Sequence, residues 1–452
     1  VPLPACAIDE TDKRTCAQRS TIMAVFGQST STPVDTGRMR RAARTGIMVG
    51  IAMFATSSSD AATLTTLVSF NGANGSGSRA ALIADAAGDF YGTTSSGGAS
   101  SKGTVFELSA SGALTTLASF DGTNGRAPYA GLTADAAGNL YGTTFIGGAA
   151  SFGGTVFKLS ASGSLTTLAN FGGSNGLRPQ AGLIADAAGN LYGTTSQGGA
   201  SGYGTVFKMS NTGALTTLVD FDGTNGSASQ ASLIADAAGN LYGTTNSGGA
   251  FGAGNVFKLS ASGTLTTLVS FDDDSSGGYP LAGLVADAAG NLYGTTSDAG
   301  PSGYGTVFKL SASGTLTTLA SFDDAANGAF AQGGLIADAA GNLYGTTSQG
   351  GASGWGTVFK VSAGGVLTTL VSFDGTNGKS SFSGLIADAA GNLYGTTYTG
   401  GDSDKGTVFK LSDAGFVVNV GGVPEPAFWA MMIAGFGLVG TAARRRRLPV
   451  AA

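Results

Sequence analysis

The sequence predicts an all-β chain folded as a seven-bladed β-propeller. Three observations carry that expectation. The phrase Asp-Ala-Ala-Gly-(Asn/Asp)-(Leu/Phe)-Tyr-Gly-Thr-Thr recurs seven times, with tyrosines at Tyr91, Tyr141, Tyr192, Tyr242, Tyr293, Tyr344 and Tyr394, spaced 50, 51, 50, 51, 51 and 50 residues apart. Each period holds four short strand-like runs, which suits one propeller blade. A lone fourth-type run, Thr63 to Phe70, precedes the first unit, and the last unit lacks that spelling after Leu411. The first run can therefore complete the last blade and close the ring, leaving no open edge. The alternative is an open β-solenoid, which needs no partner for its first run and wants distinct capping units at both ends.

Within a unit the runs a, b, c and d follow from local chemistry. In the third unit they are Gly182–Ala185, Asn190–Thr195, Gly204–Met209 and Ala214–Phe221. All are rich in β-branched or aromatic residues and bounded by turn formers. Asp186-Ala187-Ala188-Gly189 places Asp first and Gly fourth, as a type I turn prefers. The repeat aspartates Asp85, Asp135, Asp186, Asp236, Asp287, Asp338 and Asp388 are therefore expected as turn caps, not catalytic acids. Ser160-Ala161-Ser162-Gly163 repeats the logic between c and d. The b–c and d–a connections are longer and more variable.

The flanks read differently. Residues 1–38 are unlike the rest and suggest an upstream extension before a start at Met39. Residues 39–61 combine a basic start, the apolar run Gly46–Ala55 and small residues before Ala61, the pattern of a secretory signal peptide. The repeat body is expected over 62–420. Residues 421–452 hold Val423-Pro424-Glu425-Pro426, then Trp429-Ala430, an uncharged stretch over 427–443 and Arg444, Arg445, Arg446 and Arg447. That stretch is at the short limit for a membrane helix. Positive charge after it places the body outside the cytoplasm.

Composition excludes whole classes of chemistry. Histidine is absent, which removes His bases, Ser-His-Asp triads and His-ligated metals. The two cysteines, Cys6 and Cys16, precede the leader, so a secreted body has no disulfide and no thiolate nucleophile. Glutamate occurs only at Glu10, Glu107 and Glu425. Glycine supplies 77 of 452 residues and only 11% are charged. Both figures disfavour helices and a basic nucleic-acid surface. Residues 62–443 carry 12 Lys and Arg against 23 Asp and Glu, so nucleic acid is not an expected partner. No cofactor is expected. Asp-rich d–a starts at Asp121, Asp222, Asp272–Asp274 and Asp374 give only a weak calcium signal, without EF-hand spacing.

The tail motif, helix and arginine cluster resemble the PEP-CTERM sorting signals of Gram-negative bacteria, in the PEPxxWA variant. The resemblance implies recognition by an exosortase, a membrane transpeptidase-like enzyme, and a cell-envelope or extracellular address. It also implies frequent association with exopolysaccharide, and membrane attachment before tail processing. The repeat spelling over about residues 63–412 resembles the GloVer (Gloeo_Verruco) tandem repeat, and more loosely the SBBP-type propeller repeats. The GloVer resemblance implies a surface protein and leaves its activity open.

Strand parity puts the near-identical a–b and c–d turns on one face of the ring and every variable loop on the other. That second face collects Phe152, Tyr203, Phe251, Tyr304, Trp355 and Tyr398 from b–c loops, and Tyr129 and Tyr279 from d–a loops. Differing aromatics on a uniform scaffold suit a surface that stacks on sugars or partner proteins. They equally suit rings that plug gaps between blades. The run-c lysines Lys158, Lys208, Lys258, Lys309, Lys360 and Lys410 suggest an exposed strand face. The expected function is non-catalytic, binding a polysaccharide or matrix protein or building the extracellular matrix. The alternatives are a polysaccharide hydrolase or lyase on the same scaffold, and a purely structural surface protein without a discrete ligand.

Overall fold

The computed structural model of the chain describes residues 61–149 and 151–418. The expected extension over 1–38, the leader (39–61) before its last residue, and the sorting motif with the apolar stretch over 427–443 lie outside the described residues. Among the described residues every regular element is a strand. No helix there is long and apolar enough to cross a membrane.

A lone strand, β1 (Thr63–Ser69), comes first. Blade 1 follows as β2 (Ile83–Ala84), β3 (Phe90–Thr94), β4 (Thr104–Leu108) and β5 (Leu114–Ser119). The pattern repeats through β6–β9 (133–170), β10–β13 (184–220), β14–β17 (234–270), β18–β21 (285–321) and β22–β25 (336–372). Blade 7 holds β26 (Ile386–Ala387), β27 (Leu393–Thr396) and β28 (Thr407–Ser412). Its fourth strand is β1, paired antiparallel from Thr63↔Ser412 to Ser69↔Thr407. The propeller with N-terminal closure is the observed architecture, and the solenoid alternative falls.

The innermost strand is shorter than the sequence suggests. Run a pairs over only two residues, as at Ile184↔Tyr192 and Ala185↔Leu191. The residues just before it pack on the neighbouring blades around the ring axis. A Cβ added to Gly131 would lie 3.3 Å from the Ala81 carbonyl oxygen, one on Gly283 3.2 Å from that of Ser232, and one on Gly384 3.5 Å from the Ala81 Cβ. Only glycine or a small side chain fits so close to the axis.

Each blade seam is apolar and aromatic. The Phe after each outer strand meets a run-c Phe of the next blade, as Phe120–Phe157 and Phe271–Phe308 do. All seven pairs are edge-to-face, 5.0–5.4 Å between centroids. Burying each ring is worth roughly 1.5–3 kcal/mol, and the edge contact adds about 0.5–1.5. The seam across the closure is built alike, with Phe70, Phe106, Leu82 and Val408 buried together.

Polar bonds join the same seams at the variable-loop end. The backbone N–H of Gly77, Ala127, Arg178, Ala228, Tyr279, Phe330 and Ser380 donates to a carbonyl in the preceding blade's b–c loop, at 2.8–3.2 Å. All seven residues have φ between 53° and 69°. This left-handed turn is what lets each connection face back to the blade it leaves. Run-b threonines also reach across, as Thr143 Oγ1 does to the Ala181 carbonyl (3.1 Å) and Thr396 Oγ1 to that of Ala80 (3.3 Å). Between blades 5 and 6 the equivalent Thr295 Oγ1 is buried without a partner among the described residues.

Candidate functional site

The two ends of the ring differ in chemistry. At the turn end the seven aspartates hold their own hairpins. Asp186 Oδ1 accepts the backbone N–H of Ala188 (3.0 Å) and Asn190 (2.8 Å), while Oδ2 accepts Asn190 Nδ2 (2.7 Å) and the Tyr192 hydroxyl (3.0 Å). Asp135, Asp236, Asp287, Asp338 and Asp388 repeat the set. Asp85 does so without the amide side chain, because Asp89 stands where Asn does elsewhere. The Asn side chain also binds the c–d turn, so one residue ties two hairpins together, as Asn139 Oδ1 does on Ala161 N–H (3.1 Å).

Burial alone would raise the carboxyl pKa of Asp135, Asp186, Asp236, Asp287 and Asp388. The Asn, backbone and Tyr hydrogen bonds outweigh it and hold all five below the ordinary value. The partner tyrosines move up, first by burial and then by the carboxylate, Tyr293 and Tyr394 to about 12. A depressed folded pKa gives stability that is complete above the ordinary value of 3.8 and lost as pH falls through the folded one. The melting temperature is therefore expected to be flat from about pH 7 to 5 and to fall steeply below about pH 4. A thermal melt series down to pH 2 checks this, and an unchanged midpoint would refute it.

The run-c lysines depart from the expected exposed strand face. They are half-buried, because each ammonium lies over its cross-strand tyrosine ring, 5.4–5.9 Å from the centroid. Sequence spacing had a usable signal for this, since Tyr192 and Lys208 are register partners.

The loop end carries the eight aromatic candidates, and they separate into two groups. Phe152, Phe251, Tyr203 and Trp355 stand exposed on b–c loop tips, at 72%, 66%, 48% and 44% of full exposure. Trp355 is faced by the Lys379 ammonium at 4.8 Å, which also pairs with Asp404 at 3.2 Å. Tyr304, Tyr279, Tyr129 and Tyr398 are half-buried. Tyr304 packs edge-on against Phe330, and Tyr279 occupies one of the left-handed positions.

Tyr129 and Tyr398 instead converge on a residue that sequence reasoning passed over. The Arg79 guanidinium carbon lies 4.7 Å from the Tyr129 ring centroid, 4.7 Å from that of Phe382 and 4.6 Å from that of Tyr398. Phe145 stacks on Tyr129 at 4.8 Å, and Arg178 lies 5.5 Å from the Phe145 ring. Arg79, Tyr129, Gln180, Gln230, Leu281, Gln332 and Phe382 hold the same repeat position, just before the axial glycines. Aligning the units on that position was the signal that could have found the cluster.

The Asp-rich connections close on themselves. Asp121 Oδ1 accepts Thr123 N (2.8 Å), Thr123 Oγ1 (2.7 Å) and Asn124 N (3.0 Å), and these bonds, led by that from Asn124, keep the carboxyl low. Asp222 and Asp374 do the same. Asp273 goes the other way. Burial, then the charges of Asp274, Asp298 and Asp272, push its carboxyl up. A cleft of about 400 Å³ at the same connection is lined by Phe251, Asp272, Ser275 and Thr318. Among the described residues no three His, Cys, Asp or Glu side chains are grouped to hold a metal ion.

Comparison with known proteins bears on fold and address. Two solved structures from B. thetaiotaomicron share the fold. One is the extracellular domain of a protein described as a hybrid two-component system, 14% identical with TM-score 0.51, matched over 77% of this chain and 41% of that one. The other is the extracellular domain of a protein described as a one-component system, 14% identical with TM-score 0.52, over 77% and 40%. The match thus spans about two fifths of those chains, and at such identity it speaks to fold alone. No curated protein matches. The PEP-CTERM protein-sorting motif matches residues 422–447, which makes this an exported, exosortase-sorted surface protein. With matches over 49–185, 135–292 and 235–421, the chain belongs to the Gloeobacter/Verrucomicrobia repeat family.

Proposed function

We propose that the propeller is a non-catalytic binding module for polysaccharide of the extracellular matrix, and that it binds through its loop face. The carrying observation is the direction in which the chain leaves the ring. Thr63, at the start of β1, pairs with Ser412, at the end of β28, so both ends of the body emerge at the turn end. The segment after β28 continues there. Tyr344 donates to the Gly415 carbonyl (2.8 Å), and Val417 accepts from the Ala339 N–H (2.9 Å). A body held at the envelope by its tail therefore turns its loop face outward. That face carries Phe152, Tyr203, Phe251 and Trp355 as exposed residues on loop tips. Exposed aromatic faces stack on the apolar side of sugar rings. The repeat aspartates have their oxygens committed to their own hairpins, which suits a scaffold better than acid–base work.

Calorimetric titration with exopolysaccharide from the producing organism tests this reading, with and without calcium. Saturable heat is expected, with affinity reduced about tenfold or more when Phe152, Phe251 and Trp355 are together replaced by Ser. Unchanged affinity in that variant would refute the rim contribution. Release of shorter sugars during the titration would replace the reading with a hydrolase or lyase.

A further inference from the structure

We infer that the axial mouth of the loop face is an anion-selective sugar site, in which Arg79 takes the carboxylate of a uronic-acid residue. This rests on the glycan-binding reading of the loop face and names the sugar class. Arg79 is the reason. Its guanidinium is ringed by Tyr129, Phe382 and Tyr398, which arrive from three consecutive connections and loops around the axis. The Nε is fully enclosed and meets no acceptor. Among the described residues the single ion pair is Lys379–Asp404, so Arg79 has no carboxylate of its own. The side chain is only partly buried, but an enclosed N–H of a cation normally meets an acceptor. With Nε enclosed and the side chain only partly buried, the terminal N–H groups of the guanidinium are where an acceptor can bind. Those groups match a carboxylate, and the surrounding rings match the face of a pyranose.

The mouth is built rather than incidental. The left-handed residue at this connection is Gly77, where other blades carry Ala127, Arg178, Ala228, Tyr279, Phe330 and Ser380. A Cβ on Gly77 would lie 2.7 Å from Tyr398 Cε2, so the missing side chain is the space the Tyr398 ring occupies.

Charge on the loop face is divided in the same sense. Outside the run-c lysines, the basic residues of the described body are Arg79, Lys102, Arg126, Arg178, Lys379 and Lys405. All belong to the loops of blades 7, 1 and 2 and the connections that flank them. The same loops also carry Asp121, Asp374, Asp402 and Asp404, so their cations exceed their acids by two, whereas the loops from blade 4 to blade 6 carry Asp272, Asp273, Asp274, Asp298, Asp323 and Asp324 and no cation. An acidic chain is therefore favoured over the Arg79 sector and disfavoured over the opposite one.

The test titrates the full-length chain with oligogalacturonate and with a neutral dextran oligosaccharide of equal length. Oligogalacturonate is expected to bind at least about tenfold tighter, with the advantage shrinking as salt rises. Arg79→Gln is expected to reduce its affinity to that of the neutral sugar. Gln occupies the equivalent position in Gln180, Gln230 and Gln332, so the fold accepts it. Gly77→Ala, which displaces Tyr398, is expected to weaken oligogalacturonate binding in the same direction and carries the test if Arg79→Gln does not melt like the parent. Equal affinity for the two sugars overturns the proposal and leaves glycan binding intact. So does undiminished oligogalacturonate binding by the folded variants. A parent chain that binds neither sugar, nor the producing organism's own polysaccharide, overturns both.

Discussion

A body lacking its first strand, beginning at Asn71, is expected to lose cooperative unfolding and to associate. Deletion removes the six-residue-pair register between β1 and β28. It also removes Phe70, which is fully buried against Phe106 of the neighbouring blade. The remaining edge, β28, carries Val408, Phe409 and Leu411, all fully buried in the closed ring. A bare, apolar strand edge templates pairing with other chains. Loss of one seam is also not local. The ring closes only through blade 7, so the gap frees the Gly77–Lys405 bond and the contact of Thr396 with Ala80. Size-exclusion chromatography and a thermal melt check this, and a monomer with an unchanged melt would refute closure as a source of stability.

Replacing Phe257 with Ala is expected to cost about 3–5 kcal/mol, the range for removing a buried ring that neighbours cannot refill. Phe257 is fully buried and meets Phe221 across the seam, 5.4 Å between centroids. The same ring explains a glycine. Gly243 is its register partner, and a Cβ there would lie 2.7 Å from Phe257 Cζ and 2.8 Å from Leu233 Cδ2. Gly243→Ala is therefore expected to cost about 1–3 kcal/mol by overpacking. Adding Phe257→Leu should recover part of that loss, because it withdraws the Cζ that the new methyl meets. Denaturant unfolding of the two single variants and the double variant measures the coupling. Strict additivity would show that the clash is relieved elsewhere. The glycine of Tyr-Gly-Thr-Thr is thus a packing residue in every unit, not a turn residue.

The division between what was legible and what was not follows the range of the interactions. Hairpin chemistry is local, so Asp186, Gly189, Ser160 and Gly163 announce their turns from spelling alone. Their bonds run from Gly189 N–H to the Asp186 carbonyl and from Gly163 N–H to that of Ser160. The spare run at Thr63–Phe70 likewise announced ring closure, because an array that begins with a fourth strand and ends with three has one economical solution. The aromatics were harder. Spacing placed Trp355 and Tyr398 on one face alike, yet Trp355 is exposed and Tyr398 is packed beside Gly77.

The sequence by itself determined the repeat, the four strands per unit, the closure and the separation of turn face from loop face. Each depends on residues within one period or on counting periods. Only the tertiary structure decided which loop residues meet. Arg79 and Tyr398 lie at opposite ends of the array and touch because the ring brings blade 7 against blade 1. Tyr129 and Phe382 join them from either side for the same reason. A contact made by closing a ring leaves no trace in local periodicity, because its partners lie more than 300 residues apart in the chain.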